Sequence, residues 1–64
     1  MRIDRKKLAI LMIQKGVTSK SLSEKSGVSK SSICYIRNGK SCRDDIGQKI
    51  AAALGVDVTE ILED

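Results

Sequence analysis

Four glycines divide this 64-residue chain into short segments in which apolar residues recur at helical spacing. A glycine just beyond a helix can adopt the left-handed conformation that ends the helix at low cost. Proline is absent, which suits helices joined by short glycine turns. The chain is therefore restricted to a series of short helices. The four glycines are Gly16, Gly27, Gly39 and Gly55.

A second pattern predicts where the helices begin. Four pairs of apolar residues lie five positions apart, and a polar residue directly follows the first member of each pair. This arrangement is typical of a hydrophobic staple around a capping side chain. The last cap also has Glu60 three residues later, as in a capping box. The pairs are Ile3 and Leu8, Val17 and Leu22, Val28 and Ile33, and Val56 and Ile61, and the predicted N-caps are Asp4, Thr18, Ser29 and Asp57.

Together these patterns predict a compact all-α fold of five helices. The predicted helices span about 5–15, 19–26, 30–38, 45–54 and 58–63. Spacing places Leu8, Ala9, Met12 and Ile13 on the inner face of the first helix. It places Ile46, Ile50, Ala53 and Leu54 on the inner face of the fourth. Gly47 costs that helix about 1 kcal/mol relative to alanine, and close helix packing there is a plausible reason.

Composition bounds the class of protein. A chain of 64 residues forms one domain that buries about 60% of its unfolded surface, without room for a deep cleft. Histidine is absent and no nucleophile–base pair is evident, so we expect neither an enzyme nor a metal or cofactor site. Cys34 and Cys42 are expected to be free thiols of a cytosolic protein. The longest apolar run, residues 8–13, is too short for a membrane span, and no signal peptide is visible, which favours a cytoplasmic location.

Charge is unevenly distributed along the chain. Residues 1–43 contain eleven lysines or arginines and two acidic residues, whereas residues 44–64 contain one lysine and six acidic residues. Such segregation favours a polyanionic partner over a merely solvated surface. For the cations nearest the start of the chain, contact with a nucleic-acid backbone and a solvated helix face are equally compatible with the sequence. Those cations are Arg2, Arg5, Lys6 and Lys7.

The second and third predicted helices are joined only by residues 27–29. Two helices connected so briefly must cross steeply, as in a helix-turn-helix. Ile33 and Ile36 give the third helix a narrow apolar back, and its remaining residues are polar, cationic or exposed. A helix with such a front can enter the major groove of DNA, which is about 12 Å wide.

The segment 19–40, SKSLSEKSGVSKSSICYIRNGK, resembles the helix-turn-helix of the Cro and phage-repressor family. Further marks are GVT at 16–18, IAAALGV at 50–56 and EIL at 60–62, so the similarity covers essentially the whole chain. It implies one lambda-repressor-like domain over residues 1–64 whose third helix reads operator DNA. The implied function is sequence-specific binding of double-stranded DNA by a transcriptional regulator of a prokaryote, phage or mobile element, either a repressor or a Cro-like switch.

The resemblance also implies residue roles and partners. The positions that match base-facing residues are Ser29, Lys30, Ser31 and Tyr35. The positions that match, or lie beside, phosphate-contacting residues are Ser19, Lys20, Arg37, Asn38, Lys40, Ser41 and Arg43. A homodimer on a palindromic operator is expected, because one such module buries only about 600–1,000 Å² on DNA. Two modules would place their recognition helices about 34 Å apart, one turn of DNA.

The chain also departs from the family. Ser23 and Ser26 replace a small and an apolar residue, and both need local hydrogen bonds if they are buried. Many relatives pair an arginine of the first helix with a glutamate of the third, at positions held here by Met12 and Arg37. Loss of that pair frees Arg37 for solvent or phosphate and lets Met12 join the core.

Two alternatives remain beside this interpretation. The chain could be a protein-interaction module or an antitoxin-like partner that keeps the fold without binding DNA, although the basic front of the third helix disfavours this. Val58 and Leu62 could close the core or form part of a dimer surface.

Overall fold

The computed structural model describes residues 1–63, which form four α-helices and one short 3₁₀ turn. The α-helices are α1 (Arg5–Gln14), α2 (Ser19–Ser26), α3 (Lys30–Arg37) and α4 (Asp44–Leu54), and the 3₁₀ turn is Val58–Glu60. The predicted all-α class is confirmed, and the bounds of the four α-helices agree with the predicted ones to within one residue.

The four predicted N-caps are confirmed. Asp4, Thr18, Ser29 and Asp57 are extended, and each side chain accepts a hydrogen bond from a backbone N–H of the following turn. A capping box forms between Thr18 and Ser21, which the sequence analysis did not identify. At Asp57 the carboxylate accepts from the backbone N–H and the hydroxyl of Thr59, each at 3.0 Å, and these bonds lower the pKa of Asp57.

The core is aliphatic and draws on every helix. The largest fully buried side chains are Ile3, Leu8, Leu22, Ile33, Ile36, Ile50 and Ile61. Seven of the eight residues in the predicted staple pairs are buried, and Val56 packs against the core half-buried. The apolar residues of the staple pairs, which flank the start of each helix, therefore also form the core. Met12 is 3% exposed and joins this core, as expected from the missing arginine.

The inner face of α1 differs from the prediction. Ile13 was expected inward, but its side chain is 80% exposed, and Ala9 is only half-buried. The buried residues of α1 are Leu8 and Met12, one turn apart, with Leu11 packed beside them. Because residues 8–13 are all apolar, spacing alone could not decide which of them face the core. In α4, Ile50 and Leu54 are buried as predicted, Ile46 and Ala53 pack against the core partly buried, and Ala51 is buried without having been predicted.

The predicted fifth helix is wrong in its second half. Only Val58–Glu60 is helical, and Leu62 instead forms an isolated antiparallel bridge with Ile3. The backbone N–H of Asp4 donates to the Ile61 carbonyl at 2.7 Å, and that of Glu63 donates to the Arg2 carbonyl at 3.1 Å. Val58 packs against the core. The two end segments of the described chain are thus fastened to each other.

Gly47 is buried in α4 for a reason other than the close helix packing suggested by the sequence. A Cβ placed on Gly47 would collide with the Met1 sulfur, so the Met1 side chain occupies the space that a larger residue would need. The same N-terminal residue pairs with the loop before α4, since the Cys42 N–H donates to the Met1 carbonyl at 2.9 Å. The absence of a side chain at Gly47 therefore allows the N-terminal segment to pack against α4.

Candidate nucleic-acid interface

The turn between α2 and α3 is fixed by hydrogen bonds from α2. Gly27 ends α2 with a φ of 76°, and Val28 is buried directly after it. The Ser23 hydroxyl donates to the Val28 carbonyl and the Ser26 hydroxyl to the Leu22 carbonyl, both at 2.7 Å. The two serines that depart from the family pattern thus have the local partners that half-buried hydroxyls need. Ser23 and Ser26 also hold the turn before α3, since the Val28 N–H donates to the Ser26 hydroxyl at 3.1 Å.

One side of α3 is anchored and the other is open. Ile33 and Ile36 are at most 1% exposed, whereas the outward residues of the helix are exposed. Tyr35, with 61% of its surface exposed, lies on this outward side, as predicted. The exposed residues of α3 are Lys30, Ser31, Cys34, Tyr35 and Arg37.

The four predicted base-facing residues differ in how free their side chains are. The Ser29 hydroxyl caps α3, accepting from the Ser32 N–H at 3.2 Å and donating to the Ser32 hydroxyl at 2.9 Å. Within residues 1–63, the side chains of Lys30, Ser31 and Tyr35 make no hydrogen bond or ion pair. A shallow depression brings these three together with Cys34 and Asn38. Three of the four therefore present unused polar groups side by side.

The start of α2 meets the end of α3 on this surface. The Arg37 guanidinium donates to the Ser19 hydroxyl at 2.7 Å, and both residues line a depression that also includes Lys30, Cys34 and Asn38. A hydroxyl that accepts from arginine keeps its own O–H for another acceptor, and the guanidinium keeps four further N–H donors. Sequence reasoning named both residues but missed their contact, because nothing in a local pattern pairs positions 18 apart.

The loop after α3 contributes the remaining predicted residues. The Asn38 amide donates to the Cys34 carbonyl at 2.9 Å and so helps to end the helix. Lys40 is exposed, and its side chain has no partner within residues 1–63. Ser41 and Arg43 line a depression with Ser31 and Tyr35 on the other side of α3. The loop and the recognition helix therefore form one surface.

Two predicted phosphate-binding residues differ from the others in their surroundings. Lys20 is exposed but lies outside the depressions around α3. Arg43 is 84% exposed, and its Nε lies 3.3 Å from a carboxylate oxygen of Asp45. This pairing of Arg43 with an acidic residue of α4 was not predicted from the sequence.

The two cysteines are free thiols, as expected. Cys34 is exposed on α3, whereas Cys42 is half-buried, and that burial raises the pKa of its thiol. Over residues 1–63 no cluster of three or more side chains is arranged to hold a metal ion. In the same part of the chain, no helix is both long and apolar enough to span a membrane.

Comparison with known proteins agrees with this geometry. The family profile of Cro/C1-type helix-turn-helix DNA-binding domains matches residues 7–64. No curated protein matches the chain significantly. Because the profile covers most of the sequence, including α2, α3 and the loop that follows, this chain belongs to the Cro/C1-type helix-turn-helix family and is, at that level, a DNA-binding regulator of transcription.

Proposed function

We propose that the chain binds specific double-stranded DNA sites and acts as a transcriptional repressor or Cro-like switch of a prokaryote, phage or mobile element. The observation that carries this proposal is the outward face of α3. There Lys30, Ser31 and Tyr35 are exposed without side-chain partners in residues 1–63, while Ile33 and Ile36 hold the helix from behind. Such a role places the chain in the cytoplasm.

In this proposal α3 lies in the major groove. Lys30 donates to guanine O6 or N7, a contact worth about 1–3 kcal/mol of discrimination. The Ser31 hydroxyl bonds to a base edge or the adjoining phosphate, and the Tyr35 ring contacts a thymine methyl or its hydroxyl a base edge. Ser29 supports this face as the helix cap, and its hydroxyl retains one acceptor lone pair for a base.

Phosphate groups on either side of the groove are bound by two sets of residues. The first set is Ser19, Lys20 and Arg37, with the Arg37–Ser19 hydrogen bond holding two donors together. The second is the loop with Asn38, Lys40, Ser41 and Arg43. These contacts fix the register of the helix, and the base contacts give the sequence preference.

Two modules are proposed to bind one palindromic operator as a homodimer. One module of this kind buries only about 600–1,000 Å² on DNA, which is small for a high specific affinity. A pair of modules would place two recognition helices about 34 Å apart, in successive major grooves on one side of the duplex.

A second candidate function is binding of a protein partner. It is favoured by Ile10 and Ile13, which are 55% and 80% exposed on α1. Large exposed apolar side chains close together are a common feature of interaction surfaces. This candidate makes no use of the polar front of α3.

Selection on random duplex DNA, followed by sequencing of the retained fragments, tests the proposal. We expect a short enriched motif, repeated as a palindrome with half-sites about one helical turn apart. Retention without any enriched motif would contradict sequence-specific binding. No retention at low salt would leave the protein-partner candidate as the better account of the chain.

A further inference from the structure

The N-terminal segment lies beside the loop that follows α3. The Arg2 guanidinium donates to the Gly39 carbonyl at 3.3 Å, and the Arg5 side chain lies 3.9 Å from a Cβ placed on Gly39. Arg2, Arg5 and Lys6 line a depression together with Asn38 and Gly39. We call this the N-terminal depression. It gathers three cations that precede the family-like motif region in the sequence.

This depression is continuous with the surface around α3. Asn38 lines it and also lines the two depressions that contain Lys30 and Cys34. Through Asn38, the N-terminal depression therefore adjoins the surface proposed to contact DNA. The backbone that carries the cations is held in place, because Ile3 is buried and bridges to Leu62. A segment with a fixed backbone loses less conformational freedom on binding than a loose arm.

Only some of the charged side chains that line the depression have hydrogen-bond or ion-pair partners within residues 1–63. The side chains of Arg5 and Lys6 have no hydrogen bond or ion pair within residues 1–63. The carboxylate of Asp4, which also lines the depression, is engaged as the cap of α1 by two backbone N–H groups at 2.8 and 3.2 Å. The Glu63 carboxylate lies 3.2 Å from Arg2 Nε, in an exposed ion pair. The Glu63 carboxylate thus lies beside Arg2, whose guanidinium contacts the loop after α3.

We propose that the N-terminal depression is an additional binding site for a phosphate of the DNA backbone. Arg2, Arg5 and Lys6 bind a phosphate beyond those bound by the loop after α3, and Glu63 occupies Arg2 when DNA is absent. A guanidinium can bind the oxygens of either a phosphate or a carboxylate in the same forked geometry, which is why the two anions compete. The inference rests on the proposed DNA-binding function and extends its phosphate contacts.

The first test compares the salt dependence of operator binding by the full chain and by the double variant Arg2→Gln/Arg5→Gln. Each phosphate contact contributes about 0.9 to the slope of log affinity against log salt, so we expect loss of the one proposed phosphate to lower the slope by about 0.9. The base preference should not change. Lys49→Gln, an exposed cation of α4 outside the depression, is the matched control and should keep the wild-type slope.

Lys6→Gln repeats the test with less risk to folding, because the Lys6 side chain has no partner within residues 1–63. It should lower the slope in the same direction by less than about 0.9, because the two arginines remain to bind the same phosphate. A wild-type slope for both Lys6→Gln and a folded double variant, with the operator still bound, would overturn the inference while leaving the proposed function intact. Failure of the wild-type chain to bind any DNA would instead remove the proposed function.

The second test removes the competing carboxylate. Glu63→Gln should raise operator affinity about two- to fivefold at low salt, the size expected for releasing one exposed ion pair. Phosphate ethylation interference should map a flanking phosphate that matters for wild type and no longer matters for the double variant. Unchanged affinity of Glu63→Gln, together with an interference pattern identical in wild type and double variant, would contradict the proposal.

Discussion

Helices α3 and α4 have similar inner faces and different outer faces. Each buries large aliphatic side chains in the same core, Ile33 and Ile36 in α3, and Ile50 and Leu54 in α4. The first turn of α3 carries Lys30 and no acidic residue, whereas that of α4 carries two aspartates. The comparison teaches that the fold depends on one face of each helix. The proposed base contacts come from the start and the outer face of α3, and none comes from α4.

The largest effect is expected for the inner faces, where the two helices should behave alike. Ile33→Ala and Ile50→Ala each remove a fully buried side chain, and each should cost about 2–5 kcal/mol of unfolding free energy. Domains commonly have only about 5–15 kcal/mol in total, so either variant should be close to unfolding. Chemical denaturation measures both. A large loss of unfolding free energy for one variant and none for the other would show that the inner faces of α3 and α4 do not contribute alike.

The next effect separates the outer faces. Lys30→Ala should weaken operator binding by about 1–3 kcal/mol and relax the preference at one base pair. Lys49→Ala, the matched change on α4, should leave binding unchanged. Both should keep the unfolding free energy within about 0.5 kcal/mol of wild type, because both side chains are exposed. Binding to a randomised site library measures selectivity, and an unaltered profile for Lys30→Ala would remove Lys30 from base recognition.

A smaller and less selective effect is expected in the loop between the two helices. Lys40→Ala should weaken binding to all sequences alike and lower the salt slope by about 0.9, as expected for one lost phosphate contact. Lys25→Ala, an exposed cation in the last turn of α2, serves as control. Titrations at several salt concentrations give the slope. A wild-type slope for Lys40→Ala would place Lys40 outside the interface.

The smallest effect tests how the acidic start of α4 acts on the basic loop. Asp45→Asn releases Arg43 from an ion pair whose side chains are 84% and 52% exposed. We expect DNA affinity to rise by no more than about fivefold, because exposed pairs of this kind are weak. Glu24→Gln, which removes an exposed acid of α2, should have no such effect. If Arg43→Gln weakens binding while Asp45→Asn leaves it unchanged, the pair does not limit Arg43.

Local patterns predicted most of the fold. The caps and glycines specify helix ends through hydrogen bonds and backbone conformations within a few residues, so they could be identified from short motifs. The pairing of Ile3 with Leu62 could not, because it joins segments 59 positions apart and involves a single bridge. The exposure of Ile13 was missed for another reason: a continuous apolar run does not specify which of its members face the core.

The candidate site was predictable in its residues and less so in its contacts. Periodicity placed Ile33 and Ile36 inward and left Tyr35 outside, and the family resemblance supplied the remaining positions. The Arg37–Ser19 hydrogen bond, the Arg43–Asp45 pair and the position of Arg2 beside Gly39 depend on how helices and loops meet in space. No spacing rule contains that information. The DNA-binding roles of these residues stay predictions.

The contact between Met1 and Gly47 connects α4 to the loop that follows α3. A methyl group at Gly47 would expel the Met1 side chain, and Met1 is hydrogen-bonded through its backbone to Cys42. Cys42 lies between Ser41 and Arg43, so a shift of Met1 would misalign donors proposed to bind phosphate. The position of the loop proposed to bind phosphate therefore depends on the absence of a side chain at Gly47, in a helix for which no DNA contact is proposed.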